Sequence, residues 1–304
     1  MALPFYCKNY KSAMRVVILT AFTLISFAAN SLLCRLALGN NLIDPVSFTT
    51  LRLLSGAFVL SIITLLLDKP TSPKRIKGSW ISSFALFIYA IAFSSAYISL
   101  HAGMGALILF GAVQITMIGV AIKSGEYLGP TQWIGTGIAI GGLIYLVFPG
   151  FTAPEPLGAL LMCISGVSWG IYSVLGKGNL TPVATTAGNF MRAAPFAIIA
   201  SLVAFSAIHL EPYGLLLSLI SGIITSGLGY ILWYKVLRSL TTTQASVVQL
   251  LVPVLAAFGG VAFLAERVTM RLFFSSLLIL GGVTLAVKNT SLRSIKTLNS
   301  GKKS

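Results

Sequence analysis

Apolar runs about as long as a membrane is thick dominate this chain and decide what it can fold into. Ten runs of about 20 mostly apolar residues follow one another, separated by short connections that carry charge, glycine or proline. With 56% hydrophobic residues, 9% charged residues and a mean hydropathy of +0.93, the chain cannot cover a water-soluble globule with polar surface. The runs therefore predict an all-α integral membrane protein with ten transmembrane helices.

The predicted helices form two groups of five. The first group covers residues 14–35, 45–67, 79–99, 103–122 and 130–148, and the second covers 156–176, 182–206, 213–237, 241–264 and 268–288. We expect an N-terminal segment over 1–13, one unit over 14–148, a second unit over 156–288 and a basic tail over 289–304. The first helix has features of a signal peptide, but its removal would leave four helices against five, so we expect it to stay.

Basic residues are distributed unequally between the two sides of this arrangement. Alternate connections place most of the 21 lysines and arginines on one side, against only Arg35, Arg267 and Arg271 on the other. Because short cytoplasmic loops are enriched in Lys and Arg, both termini are predicted to be cytoplasmic, in the inner or plasma membrane. The net charge of +15 is then an orientation signal, and we expect no nucleic-acid partner.

The two groups of helices share a weak internal repeat. A shift of 140 positions aligns several identical residues, namely Gly119 with Gly259, Glu126 with Glu266, Gly141 with Gly281, Gly142 with Gly282, Val147 with Val287 and Arg52 with Arg192. Since five helices end on the opposite side of the membrane from where they begin, the second copy must enter inverted. Such 5+5 inverted repeats hold a solute near mid-membrane between the halves and support alternating access.

Two stretches resemble the end of an EamA domain, the conserved unit of a family within the drug/metabolite transporter superfamily. One runs from Gly105 through Gln114 to Glu126, with Gly141-Gly142 beyond it; the other runs from Ala245 through Val252-Pro253-Val254 to Glu266, followed by Gly281-Gly282. The resemblance covers both halves of the chain, residues 14–288. It implies ten helices with cytoplasmic termini, export or exchange of small metabolites such as amino acids, and a path lined by helices one, three, four, six, eight and nine.

Proline placement departs from the pattern of that family. Family members often carry proline in the fourth helix of both copies, whereas here Val113 stands at the place that matches Pro253. Pro253 is predicted to free the carbonyl of Gln249 and to act as a hinge in helix nine. Because the first copy has no counterpart, the two halves are not expected to kink alike.

Arg52 and Arg192 are the two charges predicted inside helices, and all six acidic residues lie at helix ends or in connections. A cation inside a transmembrane helix is costly unless it faces a cavity or a partner. Two interpretations stay open. The arginines either receive a carboxylate or phosphate of the substrate, or they anchor their helices through backbone carbonyls and snorkelling.

Other polar and aromatic side chains lie away from the predicted helix ends and are candidates to line a solute path: Asn30, Gln114, Trp169, Tyr172, Asn189, Trp233 and Gln249. An aromatic residue in such a helix is more often part of the core or of an interfacial belt. The amide side chains are the stronger candidates to line the path, because contact with lipid would leave them without hydrogen bonds.

Glu126 and Glu266 follow helices four and nine, each a few residues before the next helix begins. An acid at such a junction caps backbone amides; the alternative role is gating, through an ion pair of Glu126 with Lys123 or of Glu266 with Arg267.

Gly137 and Gly141, four residues apart, are expected to let helix five approach a neighbour closely.

Residues for catalysis or metal binding are not indicated. The three cysteines show no CxxC spacing, and both histidines lie outside the predicted helices, so we expect no enzyme, no metal and no cofactor. No acidic residue lies within a predicted helix to carry protons, and His101 lies at an outer turn, so exchange or facilitated diffusion is favoured. The sequence predicts a carrier or exporter of amino acids or related zwitterionic or anionic solutes, with a membrane sensor or assembly component as the alternative.

Overall fold

A computed structural model describes residues 3–67, 77–125, 129–148, 153–240 and 242–288. Within these ranges the chain is helical apart from turns, a 3₁₀ turn at Phe205–Ala207 and a single antiparallel bridge between Ile43 and Leu210. We number the helices in chain order as α1 (Leu3–Gly39), α2 (Pro45–Leu67), α3 (Trp80–Ala96), α4 (Ala102–Lys123), α5 (Pro130–Val147), α6 (Pro156–Gly176), α7 (Pro182–Val203), α8 (Pro212–Leu237), α9a (Thr242–Val248), α9b (Leu251–Leu264) and α10 (Met270–Lys288).

The predicted helices agree with the observed ones to within a few residues, except that α1 extends back to Leu3 and helix nine is interrupted. Seven helical ranges are long and apolar enough to cross a membrane: Met14–Gly39, Pro45–Leu66, Ala102–Lys123, Pro156–Gly176, Pro182–Val203, Pro212–Leu237 and Gln244–Leu264. Trp80–Ala96 and Met270–Gly282 are shorter apolar helices. The predicted tail over 289–304 lies outside the described residues.

Proline and acidic residues mark where the helices begin. Five helices start with proline, which fits the first turn because its missing N–H has no partner there: Pro45, Pro130, Pro156, Pro182 and Pro212. Before α6, the backbone N–H groups of Gly158 and Leu157 donate to the carboxylate of Glu155, and these bonds lower the pKa of that carboxyl. The N-terminus of α6 is thus capped by its own preceding residue.

The strongest contacts between helices follow one pattern. When five is added to both helix numbers of a contacting pair, the result is again a contacting pair, counted cyclically over ten helices. Three pairs contact their own counterparts, namely α2 with α7, α4 with α9 and α5 with α10. The stronger remaining contacts come in matched sets: α3 touches α6 and α7 as α8 touches α1 and α2, and α4 touches α6 as α9b touches α1. The buried core therefore lies where helices from both halves of the chain meet.

The α5–α10 contact depends on glycines other than the pair expected from spacing. A Cβ atom at Gly142 would lie 2.8 Å from Leu278 Cβ, and one at Gly282 would lie 2.6 Å from the carbonyl oxygen of Gly135. Nothing among the described residues lies within 4 Å of a Cβ at Gly137 or Gly141. The prediction for Gly137 and Gly141 was wrong, because these glycines face away from the partner helix.

Two helices depart from regular α geometry. The middle of α8, Ser221–Leu228, is π-helical. Helix nine breaks at Gln249 and Leu250, where the N–H of Val252 donates to the Gln249 carbonyl at 3.0 Å. That carbonyl is therefore not freed by Pro253 as predicted. Pro253 is the third residue of α9b, where a backbone N–H has no intrahelical partner.

Candidate solute site

Arg52 of α2 lies at the centre of the molecule with only 1% of its surface exposed. Its Nε donates to Ser226 Oγ at 2.7 Å, and its Nη2 donates to the hydroxyls of Tyr230 at 2.7 Å and Tyr89 at 3.1 Å. The guanidinium carbon also lies 5.2 Å from the ring centre of Tyr89 and 5.3 Å from that of Phe93. The charge is held by neutral hydroxyls and aromatic faces from α3 and α8.

No carboxylate pairs with Arg52 among the described residues. Among these residues, Glu266 forms an ion pair with Arg35 and contacts His101, and Glu211 contacts His209, all at helix ends. Nη1 of Arg52 has no hydrogen-bond partner in the described part of the chain. A buried cation with an unused donor is costly, so Nη1 is a candidate contact for an anionic group.

Tyr89 and Tyr230, which contact Arg52, pack with two further aromatic rings, and we call Phe27, Tyr89, Trp169 and Tyr230 the aromatic cluster. Trp169 is the shared neighbour: its ring centre lies 4.7 Å from that of Tyr230, 4.9 Å from Tyr89 and 5.3 Å from Phe27. The rings come from α1, α3, α6 and α8. They give the site broad apolar faces beside a single fixed charge.

Asn30 and Gln249 join the same site through hydrogen bonds. Asn30 Oδ1 accepts from Ser221 Oγ at 2.7 Å and Thr225 Oγ1 at 3.0 Å, both in the π-helical segment, and its Nδ2 lies 3.5 Å from Tyr89 OH. Gln249 Oε1 accepts from Trp169 Nε1 at 2.8 Å. The break in helix nine thus places an amide that orients the central tryptophan.

Tyr172 and Trp233 lie at the border of the aromatic cluster. The Tyr172 ring lies 5.5 Å from Trp169 and stacks on Tyr234 at 5.4 Å. Trp233 contacts Phe27 at 5.7 Å and donates from Nε1 to Ser173 Oγ at 3.1 Å. Both side chains pack the wall behind the site.

Arg192, Asn189 and Gln114 lie apart from Arg52. Arg192 Nη1 donates to the carbonyls of Lys77 and Gly188, each at 3.0 Å, and Asn189 Oδ1 accepts from the N–H of Ser79 at 3.0 Å. Both residues hold the segment that leads into α3.

Gln114 faces α5 and α10, where it lines a cavity of about 10 Å³ with Thr136 and Ile279. That volume holds about one water molecule. Neither atom of the Gln114 amide has a partner among the described residues.

Sequence reasoning missed Tyr89, Tyr230 and Ser226, which hold the guanidinium. A tyrosine or serine in an apolar helix is common and gives no signal alone. The available signal was that Tyr89 and Tyr230 are 141 positions apart, close to the repeat shift, on helices that match each other in the two halves. Their hydroxyls lie 3.2 Å apart.

Glu266 binds three elements together at one end of the molecule. Both of its carboxylate oxygens accept from the N–H of Ala102 at 3.0 Å, so it caps α4. Its Oε1 lies 3.4 Å from Arg35 Nε on α1 and 3.3 Å from His101 Nδ1. The ion pair is with Arg35 and not with the neighbouring Arg267, while Glu126 lies outside the described residues.

A cavity of about 590 Å³, which we call the Glu266 cavity, lies over this cluster and is lined by Arg35, Asn40, His101, Glu266, Arg267 and Thr269. The described ranges contain no group of three or more His, Cys, Asp or Glu side chains placed to hold a metal ion.

Membrane-length apolar helices packed around a buried arginine and aromatic rings define a multi-pass membrane protein with an internal polar site. Residues 156–288 match the model of the EamA-like transporter family. A Pseudomonas aeruginosa protein described as uncharacterized is 48% identical over 271 residues, which are 89% of this chain and 94% of that protein. The chain belongs to the EamA-like transporter family and is a transporter in a lipid bilayer.

More distant relatives carry transporter names. A probable amino-acid metabolite efflux pump of Escherichia coli is 21% identical over 286 residues, covering 89% of this chain and 94% of that protein. The uncharacterized transporter YoaV of Bacillus subtilis is 22% identical, covering 83% and 90%. A solved crystal structure with 21% identity and a TM-score of 0.63 covers 88% of this chain and 98% of its own, a likeness that shows the fold alone.

Proposed function

We propose that the protein carries a small anionic or zwitterionic metabolite, such as an amino acid, across the inner or plasma membrane, with Arg52 receiving its carboxylate. One observation supports this most directly: Arg52 is fully buried, lacks a carboxylate partner among the described residues and keeps Nη1 unused. A solute carboxylate would complete that shell through charge-assisted hydrogen bonds.

The surroundings of Arg52 suit the rest of such a solute. The Tyr89 ring centre lies 5.2 Å from the guanidinium carbon, and the Trp169 ring packs against both Tyr89 and Tyr230. Aromatic faces accept apolar side chains or an ammonium group. A solute that carries only positive charge would be repelled by the Arg52 guanidinium, with no carboxylate to offset the repulsion. The site therefore favours anions and zwitterions over cations.

Two inverted units, 14–148 and 156–288, are proposed to alternate around this site. The pattern of helix contacts supports this, since adding five to each helix number reproduces the stronger contacts. Arg52 and Tyr89 come from the first unit, whereas Trp169, Ser226 and Tyr230 come from the second. A site shared by two such units is what rocking of one against the other requires. The distribution of Lys and Arg supports cytoplasmic termini.

The name of the Escherichia coli relative, a probable amino-acid metabolite efflux pump, supports amino acids as the solute class and export as the direction. The acids of the described ranges, Asp44, Glu155, Glu211 and Glu266, lie at helix ends or in turns. This placement supports exchange or facilitated diffusion over proton coupling through a buried carboxylate.

Arg52 and Arg192 offer a matched test, because the repeat shift relates them while the structure gives them different surroundings. The purified protein in liposomes should give saturable flux of an amino acid or organic acid. Arg52→Gln should lower that flux about ten- to hundred-fold, since a hydrogen bond to a charged group contributes about 1.5–3 kcal/mol. Arg192→Gln should keep most of it.

Absence of saturable flux across amino acids, organic acids, nucleosides and cationic drugs would sink the carrier proposal and favour a sensor or assembly role. Equal loss in both arginine variants, accompanied by poor expression, would assign Arg52 to structure. Greater loss for a cationic solute than for an anionic one would also contradict the role proposed for Arg52.

A further inference from the structure

A basic cavity lies at the opposite end of α1 from Glu266. It has a volume of about 550 Å³ and lies between the beginnings of α1 and α7 and the end of α8. Three cations line it, together with apolar side chains: Arg15, Lys235, Arg238, Val16, Leu19 and Val183. The charge distribution of the sequence predicts this face to be cytoplasmic.

The three cations of the basic cavity have no carboxylate beside them among the described residues. The residues that line the cavity include no Asp or Glu, and the described contacts between basic and acidic side chains involve only Arg35, His101 and His209 on the basic side. In the Glu266 cavity, by contrast, Glu266 forms an ion pair with Arg35. Cations that converge without an acid repel one another, so the basic cavity favours an anionic occupant.

An apolar stripe continues from the basic cavity along α1. Ile18, Phe22 and Ile25 follow Arg15 at intervals of three, seven and ten residues, which places all four on one helix face. All three apolar side chains are exposed, Phe22 to 59% of its surface. An anionic head bound by the cations would have a hydrocarbon-compatible surface running directly away from it into the membrane.

We propose that the basic cavity binds the phosphate headgroup of an anionic phospholipid, whose acyl chain follows Ile18, Phe22 and Ile25. Juxtaposed cations and an apolar face match both parts of such a lipid, whereas a soluble phosphate would use only the cations. This lipid site lies apart from Arg52, so the lipid proposal does not depend on which solute the protein transports.

Lipid binding to the full chain tests this directly. Native mass spectrometry or a nanodisc titration would compare phosphatidylglycerol with phosphatidylcholine. The wild type should prefer phosphatidylglycerol, and each cation replaced by Gln should weaken binding about five-fold, so that R15Q/K235Q/R238Q loses about a hundred-fold. Lys123→Gln is the matched control, because Lys123 is an exposed cation at the end of α4 that does not line the cavity.

Equal binding of the two lipids by the wild type would overturn the proposal, and this comparison needs no variant. Equal losses in Lys123→Gln and in Arg238→Gln would also overturn it, since they would show nonspecific surface charge. Displacement of phosphatidylglycerol by millimolar glycerol phosphate would reassign the cavity to a soluble phosphate and reject the lipid.

Discussion

Hydroxyl groups, and not acids, hold Arg52 in place, so no acid among the described residues neutralises its charge. Arg52 was detectable in the sequence because a charge within an apolar run is rare. Its partners were not detectable, because a tyrosine or serine in such a run is ordinary. Arg192 shows the limit of the repeat: the sequence treats the two arginines alike, but only tertiary packing decides that Arg52 is enclosed and Arg192 binds backbone carbonyls.

Tyr230→Phe should weaken solute binding while leaving the fold intact. The change removes the 2.7 Å hydrogen bond to Arg52 Nη2 and keeps the ring against Trp169. We expect the KM for the transported solute to rise about ten-fold, in line with a bond to a charged group. Initial rates of uptake into liposomes at several solute concentrations would measure it.

Tyr234→Phe is the control for this change, because the Tyr234 hydroxyl contacts the Tyr172 carbonyl at 3.4 Å and not the arginine. The same increase in KM for both variants would show that the hydroxyl of Tyr230 has no special role toward Arg52.

At the scale of elements, apolar run length and proline positions predicted where the helices lie. They did not predict how α8 and helix nine deviate inside the membrane. The break at Gln249 and Leu250 comes before Pro253, and the bond between Gln249 and Trp169 accompanies it. The break lies three and four residues before Pro253, where a proline disrupts a helix. The bond to Trp169 depends on another helix, and local sequence carries no record of it.

Gly222→Ala should destabilise the protein by separating α2 from α8. A Cβ atom there would lie 2.0 Å from Ser55 Oγ and 2.3 Å from the backbone carbonyl oxygen of Arg52, so α2 itself must move. Overpacking of this kind costs about 1–3 kcal/mol. We expect a lower melting temperature in detergent and reduced transport, because the shift displaces Arg52.

Gly137→Ala is the matched change, since nothing among the described residues lies within 4 Å of its Cβ position. Its melting temperature should stay level or rise slightly, as alanine favours helix. Equal melting temperatures for the two variants would contradict the close approach of α2 and α8.

At the scale of the whole molecule, the unpaired charge of Arg52 predicts that the protein exchanges solute across the membrane faster than it transports solute in one direction. In the proposed alternating-access cycle, the empty protein changes conformation with the charge of Arg52 unpaired. In the loaded protein, the solute carboxylate pairs with that charge. Uptake into liposomes preloaded with the solute should exceed uptake into empty liposomes by about ten-fold, equivalent to about 1.4 kcal/mol. Equal initial rates would show that the empty form reorients freely.

The π-helical segment Ser221–Leu228 determines which side of the end of α8 faces Arg52. A hydrogen-bonding pattern one residue wider than that of an α-helix absorbs an additional residue per turn. The repeat shift of 140 would match Tyr89 with Gly229, yet the side chain that meets Arg52 belongs to Tyr230, one position later. The wider turns of this segment thus rotate the end of α8 so that Tyr230, and not Gly229, meets Arg52.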